Sequence, residues 1–368
     1  MKILLTNDAK QIAGGENYVL YLAEGLSDRG HEVLIAPLVN SEFEETARNK
    51  GFRTVGVPYG AQGKEFNAIK YLVKSFKEEK IDIVHSNSNL DRTIAAIACK
   101  IIGAKNISSV HSCFSINRNP IHWYRNKYLI NHFTPVGFST KRIMVETDKI
   151  PSEKITVIHI GIPENKIFMT KEGRIKIRNE FNVKDEEILI GTLSRLVGFK
   201  GHKFLLKSFS ELKSEFKNAA KLMIVGEGEL KEKLVQQAME LNILDKVIFT
   251  GFRNDISNIL SAFDIFSQFS VDDGGETFPV AIIESMAAGL PVIGSEVGDI
   301  KYLIDHNKNG YLVEPENVHQ FNEALEKLII GTDLRMEMGK ESRRKFENEF
   351  TLDTMINKIE DVYKKVIS

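Results

Sequence analysis

The chain has 368 residues, and 49 Lys and Arg against 50 Asp and Glu give a formal net charge of −1. Hydrophobic residues make up 42% and charged residues 27%, which is typical of a soluble globular protein and excludes a disordered, collagenous or disulfide-stapled chain. The length predicts about two domains, and the balanced charge gives no general reason to expect nucleic-acid binding.

The first half alternates short apolar runs with helical patterns. Buried strands are predicted at 2–6, 32–37, 81–86, 106–112 and 154–160. Between the first two runs, Val19, Leu22, Ala23 and Leu26 recur at helical spacing, and Gly30 ends that helix. Strands that alternate with helices indicate a parallel sheet covered on both faces.

The pattern pauses over the charged segment 161–186 and then resumes. Further strands are predicted at 188–196, 221–228, 246–252, 264–270, 290–297 and 310–315. We therefore expect an α/β protein of two doubly wound domains joined near 165–185. Such domains enclose a cleft, and ligands bind at the carboxyl ends of their strands. The amphipathic segment 350–368 could pack on either domain.

The first residues, the apolar runs and the cysteines bear on the cellular location of the protein. The apolar start, MKILLT, is shorter than a signal peptide and is interpreted as the first strand. No apolar run approaches the ~20 residues that span a bilayer. Two cysteines, Cys99 and Cys113, form neither a disulfide framework nor a cysteine-based zinc site, so we expect a cytoplasmic protein.

Glycine-rich turns follow several predicted strands. Gly14 and Gly15 precede the first helix, where they form either a tight turn or an approach for an anion to a helix N-terminus. The third glycine of a dinucleotide fingerprint is missing, and no Walker-type phosphate loop occurs. Gly226 and Gly228 flank Glu227 in a turn that either reverses the chain or lets a base or ribose lie against the backbone. In GFRNDI, the loop around Arg253 could present backbone groups to a base.

Cations and carboxylates are grouped in two segments of the second half. Arg195 and Lys200 follow a buried strand and either clamp a diphosphate or lie on a solvated loop. Glu276 and Glu284 are separated by seven residues. A helix that starts near Pro279 would place Glu284 about 8 Å along its axis, with free amides facing a diphosphate or sugar. Two unrelated glutamates are the less favoured interpretation of that segment.

Other polar residues have weaker signals. His85 and His111 each end a predicted strand and are interpreted as cleft residues or as structural histidines. Asp272 and Asp273 are adjacent and are interpreted as an exposed loop rather than a metal site. The segment 118–142 interleaves basic and aromatic residues, which suits either anionic lipid headgroups or a solvated face with a buried Trp123.

Together these residues resemble the retaining glycosyltransferases of family 4, which have the GT-B fold. The resemblance covers nearly the whole chain and is carried by the following motifs in order: GGEN, RGHEV, VIHIGIP, SRLVGFKG, VGEGEL, GFRNDI and the two glutamates with PVIGSEVG after them. It implies Rossmann-like domains at 1–165 plus 350–368 and at 180–349. The second would hold most of a nucleotide-sugar donor.

The resemblance also implies roles for single residues. Arg195 and Lys200 would bind the donor diphosphate and stabilise the leaving group. Glu276 would position the donor sugar, and His111 would lie beside it. Donor contacts are implied for a further set: Gly14, Gly15, Gly226, Gly228, Arg253, Thr277, Phe278, Pro279 and Glu284, the last with the ribose hydroxyls.

Two positions depart from the family pattern. The family often has Gly-Phe-Gly where this chain has Thr277, Phe278 and Pro279, and His-Asn-Gly where it has His159, Ile160 and Gly161. Neither departure removes a charged donor contact.

The expected activity is sugar transfer from a nucleotide-sugar, with UDP-sugar favoured and GDP-mannose second. The expected acceptor is a bacterial cell-surface glycan or its lipid-linked precursor. We expect no metal, no other cofactor and no nucleic-acid partner, with peripheral contact at the inner face of the plasma membrane through 118–142. The alternatives are a GT-B nucleotide-sugar epimerase and a non-catalytic nucleotide-sugar-binding subunit.

Overall fold

The computed structural model describes residues 1–12, 14–60, 65–272 and 275–368. They divide into two compact units, Met1–Gly161 with Leu352–Ser368, and Ile162–Thr351. The segment 166–179, which the sequence leaves between its two predicted domains, belongs to the second unit.

The first unit is a parallel sheet with helices between its strands. Its strands are β1 (Lys2–Asn7), β2 (Glu32–Pro37), β3 (Arg53–Thr54), β4 (Ile83–Ser86), β5 (Lys105–Val110) and β6 (His132–Pro135). Its helices up to residue 161 are α1 (Gly14–Asp28), α2 (Glu42–Asn49), α3 (Glu65–Glu79), α4 (Asn89–Ile102), α5 (Pro120–Tyr124) and α6 (Phe138–Glu146). Within the described residues the strand order is β3-β2-β1-β4-β5-β6.

The second unit repeats this architecture. Its strands are β7 (Ile188–Leu193), β8 (Ala220–Val225), β9 (Val247–Gly251), β10 (Ile265–Gln268), β11 (Val292–Ser295) and β12 (Gly310–Val313). Its helices are α7 (Lys171–Glu180), α8 (His202–Glu211), α9 (Ser214–Asn218), α10 (Lys231–Glu240), α11 (Ile256–Ala262), α12 (Val280–Ala287), α13 (Ile300–Leu303), α14 (Val318–Ile330) and α15 (Thr332–Glu349). The described strands are ordered β12-β11-β10-β7-β8-β9.

The strand orders fix where ligands can approach each unit. The order reverses between β1 and β4 in the first sheet and between β7 and β10 in the second. Crevices form outside the carboxyl ends of strands at such points. The loops after these strands are therefore the parts of each unit most suited to hold a ligand.

The predicted strand at 154–160 is not a regular strand. Ile155 forms one isolated bridge with Phe133, and the amides of Thr156 and Ile158 each donate to a carbonyl of β6 at 3.0 Å. Pro135 has no N–H to donate in return, so the ladder does not continue. The segment runs beside β6, a strand that the apolar pattern does not reveal.

The last helix, α16 (Leu352–Ile367), returns to the first unit. Its Tyr363 hydroxyl lies 2.8 Å from Nδ1 of His85 inside the core. Glu360 accepts from Arg29 at 2.9 Å and lies 2.8 Å from the ring of His31. Ile356 fills the space beside Gly25 of α1, where a Cβ would lie 2.5 Å from its Cγ1. Polar and apolar contacts together hold α16 on α1.

We expect Gly25→Val to destabilise the first unit by about 1–3 kcal/mol, because the added methyl groups overlap the buried Ile356 side chain. Ser27→Val is the matched control, since it adds the same side chain at an exposed position of α1. Urea unfolding followed by circular dichroism measures both. Equal unfolding midpoints would show that the α1–α16 contact is loosely packed.

Candidate functional site

An ion pair lies at the carboxyl ends of β7 and β10. Nζ of Lys200 is 2.7 Å from Oε2 of Glu276, and the two side chains are only 13% and 5% exposed. Ser270 and Gln268 also donate to this oxygen, at 2.7 and 3.3 Å. No hydrogen bond within the described residues uses Oε1 of Glu276. The carboxylate is thus fixed through one oxygen, and the other can accept from a hydroxyl.

Close backbone contact brings the Lys200 loop to this position. Gly201 has a φ of +65°, and a Cβ there would lie 1.8 Å from the carbonyl oxygen of Phe269. The amide of Val271 donates to the carbonyl of Phe199 at 2.9 Å. A side chain at Gly201 would separate Lys200 from the strand end that carries Ser270.

The Arg195 loop packs on the glycine turn after β8. Gly226 has a φ of +140°, and a Cβ on it would lie 2.0 Å from the carbonyl oxygen of Ser194. At Gly228, a Cβ would lie 2.5 Å from the carbonyl oxygen of Leu196. Both glycines are therefore required for packing, whatever they do for a ligand. The Arg195 side chain is exposed and has no hydrogen bond or ion pair with any residue that the structure describes.

Helix α12 begins where the sequence predicts it. Pro279 is its N-cap, and Phe278 is buried with its ring 6.1 Å from that of Phe350. The carbonyl of Thr277 accepts from the amide of Asp299 at 3.0 Å, and Gly298, the last residue of PVIGSEVG, packs on the carbonyl of Glu276, so this part of the chain supports the loop. Phe278 therefore contributes packing, and the first amides of α12 lack acceptors within the helix.

Glu284 lies on α12 and is already paired. Its Oε1 is 2.6 Å from Nζ of Lys166, a residue of the charged segment before α7. A ribose that uses Glu284 must share or replace this partner. Nothing in the sequence indicates Lys166, because it follows no strand and belongs to no motif.

Arg253 is turned toward two carboxylates. Its guanidinium contacts Glu180 of α7 at 2.5 Å and Asp255 at 2.9 Å. These hydrogen bonds raise its pKa above the ordinary range, with the Asp255 contact as the largest cause. The Arg253 side chain thus stabilises the loop after β9. Any contact between this loop and the nucleotide-sugar would come from other groups.

The two candidate donor-binding glycines of the first unit have different surroundings from those of the second unit. Gly14 and Gly15 open α1, and an added Cβ at either would meet no atom of the described residues within 4 Å. Neither has a positive φ. Packing within the described residues and backbone conformation therefore do not require glycine at these two positions, and their contact with a donor stays a prediction.

The two predicted cleft histidines have different environments. His85 is fully buried, and its ring nitrogens lie 2.8 Å from Tyr363 Oη and 2.7 Å from Ser109 Oγ. It is therefore a structural histidine. His111 packs edge-on against Tyr18 with ring centroids 4.6 Å apart, and its buried Nε2 has no hydrogen bond partner among the described residues. Burial, with a smaller effect of Arg92, lowers its pKa to about 4, so His111 is neutral near pH 7.

A third histidine, His202, lies behind the Lys200 loop. Its Nε2 is 2.9 Å from Ser194 Oγ, and it opens α8. Burial, and secondly the Lys200 ammonium, lower its pKa to about 4. A neutral His202 joins the Arg195 and Lys200 loops without adding charge to them.

Two remaining sequence interpretations concern metals and membranes. Asp272 is exposed, and Asp273 lies outside the described residues. In the part of the chain that the structure describes, no group of three or more His, Cys, Asp or Glu is arranged to hold a metal ion. None of the described helices has the length and apolar character to cross a bilayer.

We expect His202→Gln to make stability less dependent on pH. With a folded pKa near 4, His202 takes up a proton more readily in the unfolded chain, so stability falls as the pH drops below about 6.5. Glutamine can keep the bond to Ser194 but does not titrate. Between pH 7 and 5.5 the variant should lose about 1 kcal/mol less than the wild type. Urea titrations at both pH values measure this, and parallel losses would contradict a neutral His202.

Two family models match successive parts of the chain. The model described as "Glycosyltransferase Family 4" matches residues 12–166, and the one described as "Glycosyl transferases group 1" matches residues 173–345. Together they span most of both units in the predicted order.

Curated relatives align over most of the chain. An uncharacterised glycosyltransferase of Methanocaldococcus jannaschii is 26% identical over 93% of this chain and 92% of its own length. The N-acetyl-alpha-D-glucosaminyl L-malate synthase of Bacillus anthracis is 23% identical over 100% and 98%. The UDP-Gal:alpha-D-GlcNAc-diphosphoundecaprenol alpha-1,3-galactosyltransferase of Escherichia coli is 25% identical over 82% and 79%.

Solved structures share the fold of the whole chain. A glycosyltransferase from Rickettsia africae has a TM-score of 0.90 at 24% identity and covers 100% of this chain and 98% of that chain. HepE from Anabaena in complex with UDP has a TM-score of 0.88 at 19% identity, with coverage of 99% and 100%. The expected fold class and family are confirmed: the chain belongs to glycosyltransferase family 4 and has the two Rossmann-like domains of the GT-B fold.

Proposed function

We propose that this protein is a retaining, metal-independent glycosyltransferase. It transfers a sugar from a nucleotide-sugar to a hydroxyl of a glycan or lipid-linked glycan in the synthesis of bacterial cell-surface polysaccharide. One observation carries the proposal: Lys200 and Glu276 meet at 2.7 Å beside the start of α12, and Glu284 lies further along the same helix. One small region thus offers a cation, free helix amides and two carboxylates.

The chemistry follows from the bond that breaks. When the bond from the anomeric carbon to the diphosphate oxygen breaks, its electron pair stays on the diphosphate. Arg195, Lys200 and the amides of α12 stabilise the charge that develops there. They supply positive charge without a metal ion.

Retention of configuration is proposed through attack on the same face. The acceptor oxygen forms its bond to the anomeric carbon on the side that the diphosphate leaves, and its proton passes to a phosphate oxygen. The alternative, a covalent glycosyl-enzyme, needs a carboxylate beneath the anomeric carbon. Glu276 is held by Lys200, Ser270 and Gln268, which suits the binding of sugar hydroxyls better than nucleophilic attack.

A uridine nucleotide is the favoured donor. HepE structures of the same fold contain UDP or UDP-glucose, and the E. coli relative is named for UDP-Gal. A Mycobacterium tuberculosis relative is named as GDP-mannose-dependent, which supports GDP-mannose as the second candidate. Among relatives with named acceptors, diphosphoundecaprenol and phosphatidylinositol compounds support a lipid-linked acceptor.

We expect one nucleotide among UDP, GDP, ADP and CMP to stabilise the protein, with UDP first and with no need for a divalent metal. At 100 times its dissociation constant the ligand adds about 2.7 kcal/mol to the free energy of unfolding.

Lys200→Ala should weaken the binding about tenfold or more, because a charge-assisted contact to the diphosphate is lost. Thermal shift with and without magnesium measures both effects.

The matched control is Lys207→Ala, which removes an exposed lysine of α8. Lack of stabilisation by all four nucleotides would reject the donor site. Loss of sugar transfer in a folded Lys200→Ala protein would exclude a subunit that only binds nucleotide-sugar.

The proposal includes contact with the inner face of the plasma membrane. Around α5, Ile121, Tyr124 and Tyr128 are more than half exposed, and Trp123 is 44% exposed, so the expected alternative of a buried Trp123 is wrong. Lys127 lies over the rings of Trp123 and Tyr128, at 4.9 and 5.2 Å. Aromatic rings with interleaved cations suit the interface of an anionic bilayer.

We expect the protein to sediment with phosphatidylglycerol vesicles and much less with phosphatidylcholine vesicles, with binding that weakens in salt. Trp123→Ser with Tyr124→Ser should lower the affinity at least about tenfold, because two rings no longer enter the interface. Phe66→Ser with Tyr71→Ser, which removes two exposed rings of α3, is the control. Equal binding of both double variants would reject membrane contact at α5.

A further inference from the structure

A pocket of about 240 Å³ in the first unit is lined by cations and donors. It lies where β4 and β5 end, and its lining includes Arg92, Arg118, His111 and the start of α4 at Ser88 and Asn89. The motifs of the donor site do not include it apart from His111.

Within the described part of the chain, the arginines near this pocket make no direct contact with a carboxylate. Arg92 is 3% exposed and donates to Ser108 Oγ and to the carbonyl of Ser109. Arg125 is 1% exposed and bonds only neutral oxygens, of Asn89, Thr93, Ile116 and Asn126. Arg118 is exposed and has no side-chain partner within the described residues. Burial lowers the pKa of Arg92 to about 10 and that of Arg125 to about 9, so both are charged near pH 7.

The nearby carboxylates are occupied by other donors. Asp91 accepts from Thr6 Oγ1 at 2.7 Å and from the amides of Asn87 and Ser88 at 3.0 and 2.9 Å. Asp148 accepts from Ser115 Oγ and the amides of Ile116 and Asn117. Burial and the charge of Asp91 raise the pKa of Asp8 to about 6, so Asp8 stays mostly ionised near pH 7, and it accepts from Ser88 Oγ. Asp91 thus acts on Arg92 and Arg125 through its charge alone, and no described carboxylate makes a direct ionic contact with either arginine.

The side chains that line the pocket carry donors suited to a tetrahedral anion. Arg118 offers a guanidinium fork, and Nη1 of Arg92 makes no hydrogen bond inside the described part of the chain. In its Nε2–H tautomer, His111 has a buried donor without a partner. Helix α4 spans 14 residues and starts at the pocket, where Asp91 in its first turn offsets part of the positive end of its dipole. Guanidinium groups and a helix N-terminus together favour a phosphoryl group.

We infer that the pocket lined by Arg92, Arg118, His111 and the start of α4 binds a phosphoryl group of the acceptor substrate. This inference rests on the proposed function, since it assigns the phosphoryl group to the acceptor rather than to the donor diphosphate. The pocket then selects phosphorylated acceptors and orients them from the side of the first unit.

The test is calorimetric titration with glycerol 1-phosphate and with glycerol, at equal ionic strength, in the presence and absence of saturating UDP. We expect glycerol 1-phosphate alone to bind, with an affinity that UDP does not change. Arg118→Ala should weaken it about tenfold or more, since a charged contact is lost. Arg48→Ala, which removes an exposed arginine of α2 that does not line the pocket, should bind as the wild type does.

Equal binding by wild type and Arg118→Ala would overturn the inference, as would competition between glycerol 1-phosphate and UDP, because the phosphate would then occupy the donor site. A different result of the same titrations would reject the proposed function. If UDP does not bind while Arg118-dependent phosphate binding persists, the pocket stands as an anion site and the glycosyltransferase donor site is rejected.

Discussion

The candidate donor site depends on backbone segments that approach each other more closely than any side chain allows. Gly201 contacts the backbone of Phe269, and Gly226 contacts that of Ser194. These contacts set the Lys200 loop against the end of β10 and the Arg195 loop against the end of β8. Lys200 and Glu276, 76 residues apart in sequence, meet because of them. A site held by backbone contacts keeps its geometry before a ligand arrives, which is the condition for electrostatic stabilisation of a leaving group.

Glycines with similar sequence contexts have different structural surroundings in the two units. Gly226 and Gly228 are required because neighbouring backbone fills the space beside them. Gly14 and Gly15 have no neighbour among the described residues within 4 Å of an added Cβ, and neither has a positive φ. Each pair follows the first or second strand of its sheet, and the pattern of residues alone does not show that Gly14 and Gly15 begin a helix while Gly226 and Gly228 lie in a turn. Only the atoms opposite each glycine distinguish an internal packing requirement from space left for a ligand.

Apolar runs in the sequence predict most of the strands. Strands whose apolar run is interrupted or very short are missed. The sequence predicts two doubly wound domains, and the start of α12 at Pro279 follows from local chemistry. It does not reveal β6, whose residues HFTP include polar side chains, or β3, which has two residues. For the site, strand ends indicate Lys200 and His111. Lys166 and His202 are not indicated, because their roles depend on side chains that are distant in sequence or on burial.

Buried cations have different partners in the two units. These partners determine how an anion would bind beside them. In the second unit Arg178 is 1% exposed and lies 3.2 Å from Asp264, and Lys200 is paired with Glu276. An anionic ligand there must exchange with a carboxylate that already holds the cation. In the first unit Arg92 and Arg125 are buried beside neutral oxygens. Asp91 balances these charges without a direct ionic contact. Because burying a charge is costly, an anion bound beside these arginines would offset part of their desolvation. Under the proposed binding, an anion would therefore add an ionic contact in the first unit, whereas in the second it would exchange one ionic contact for another.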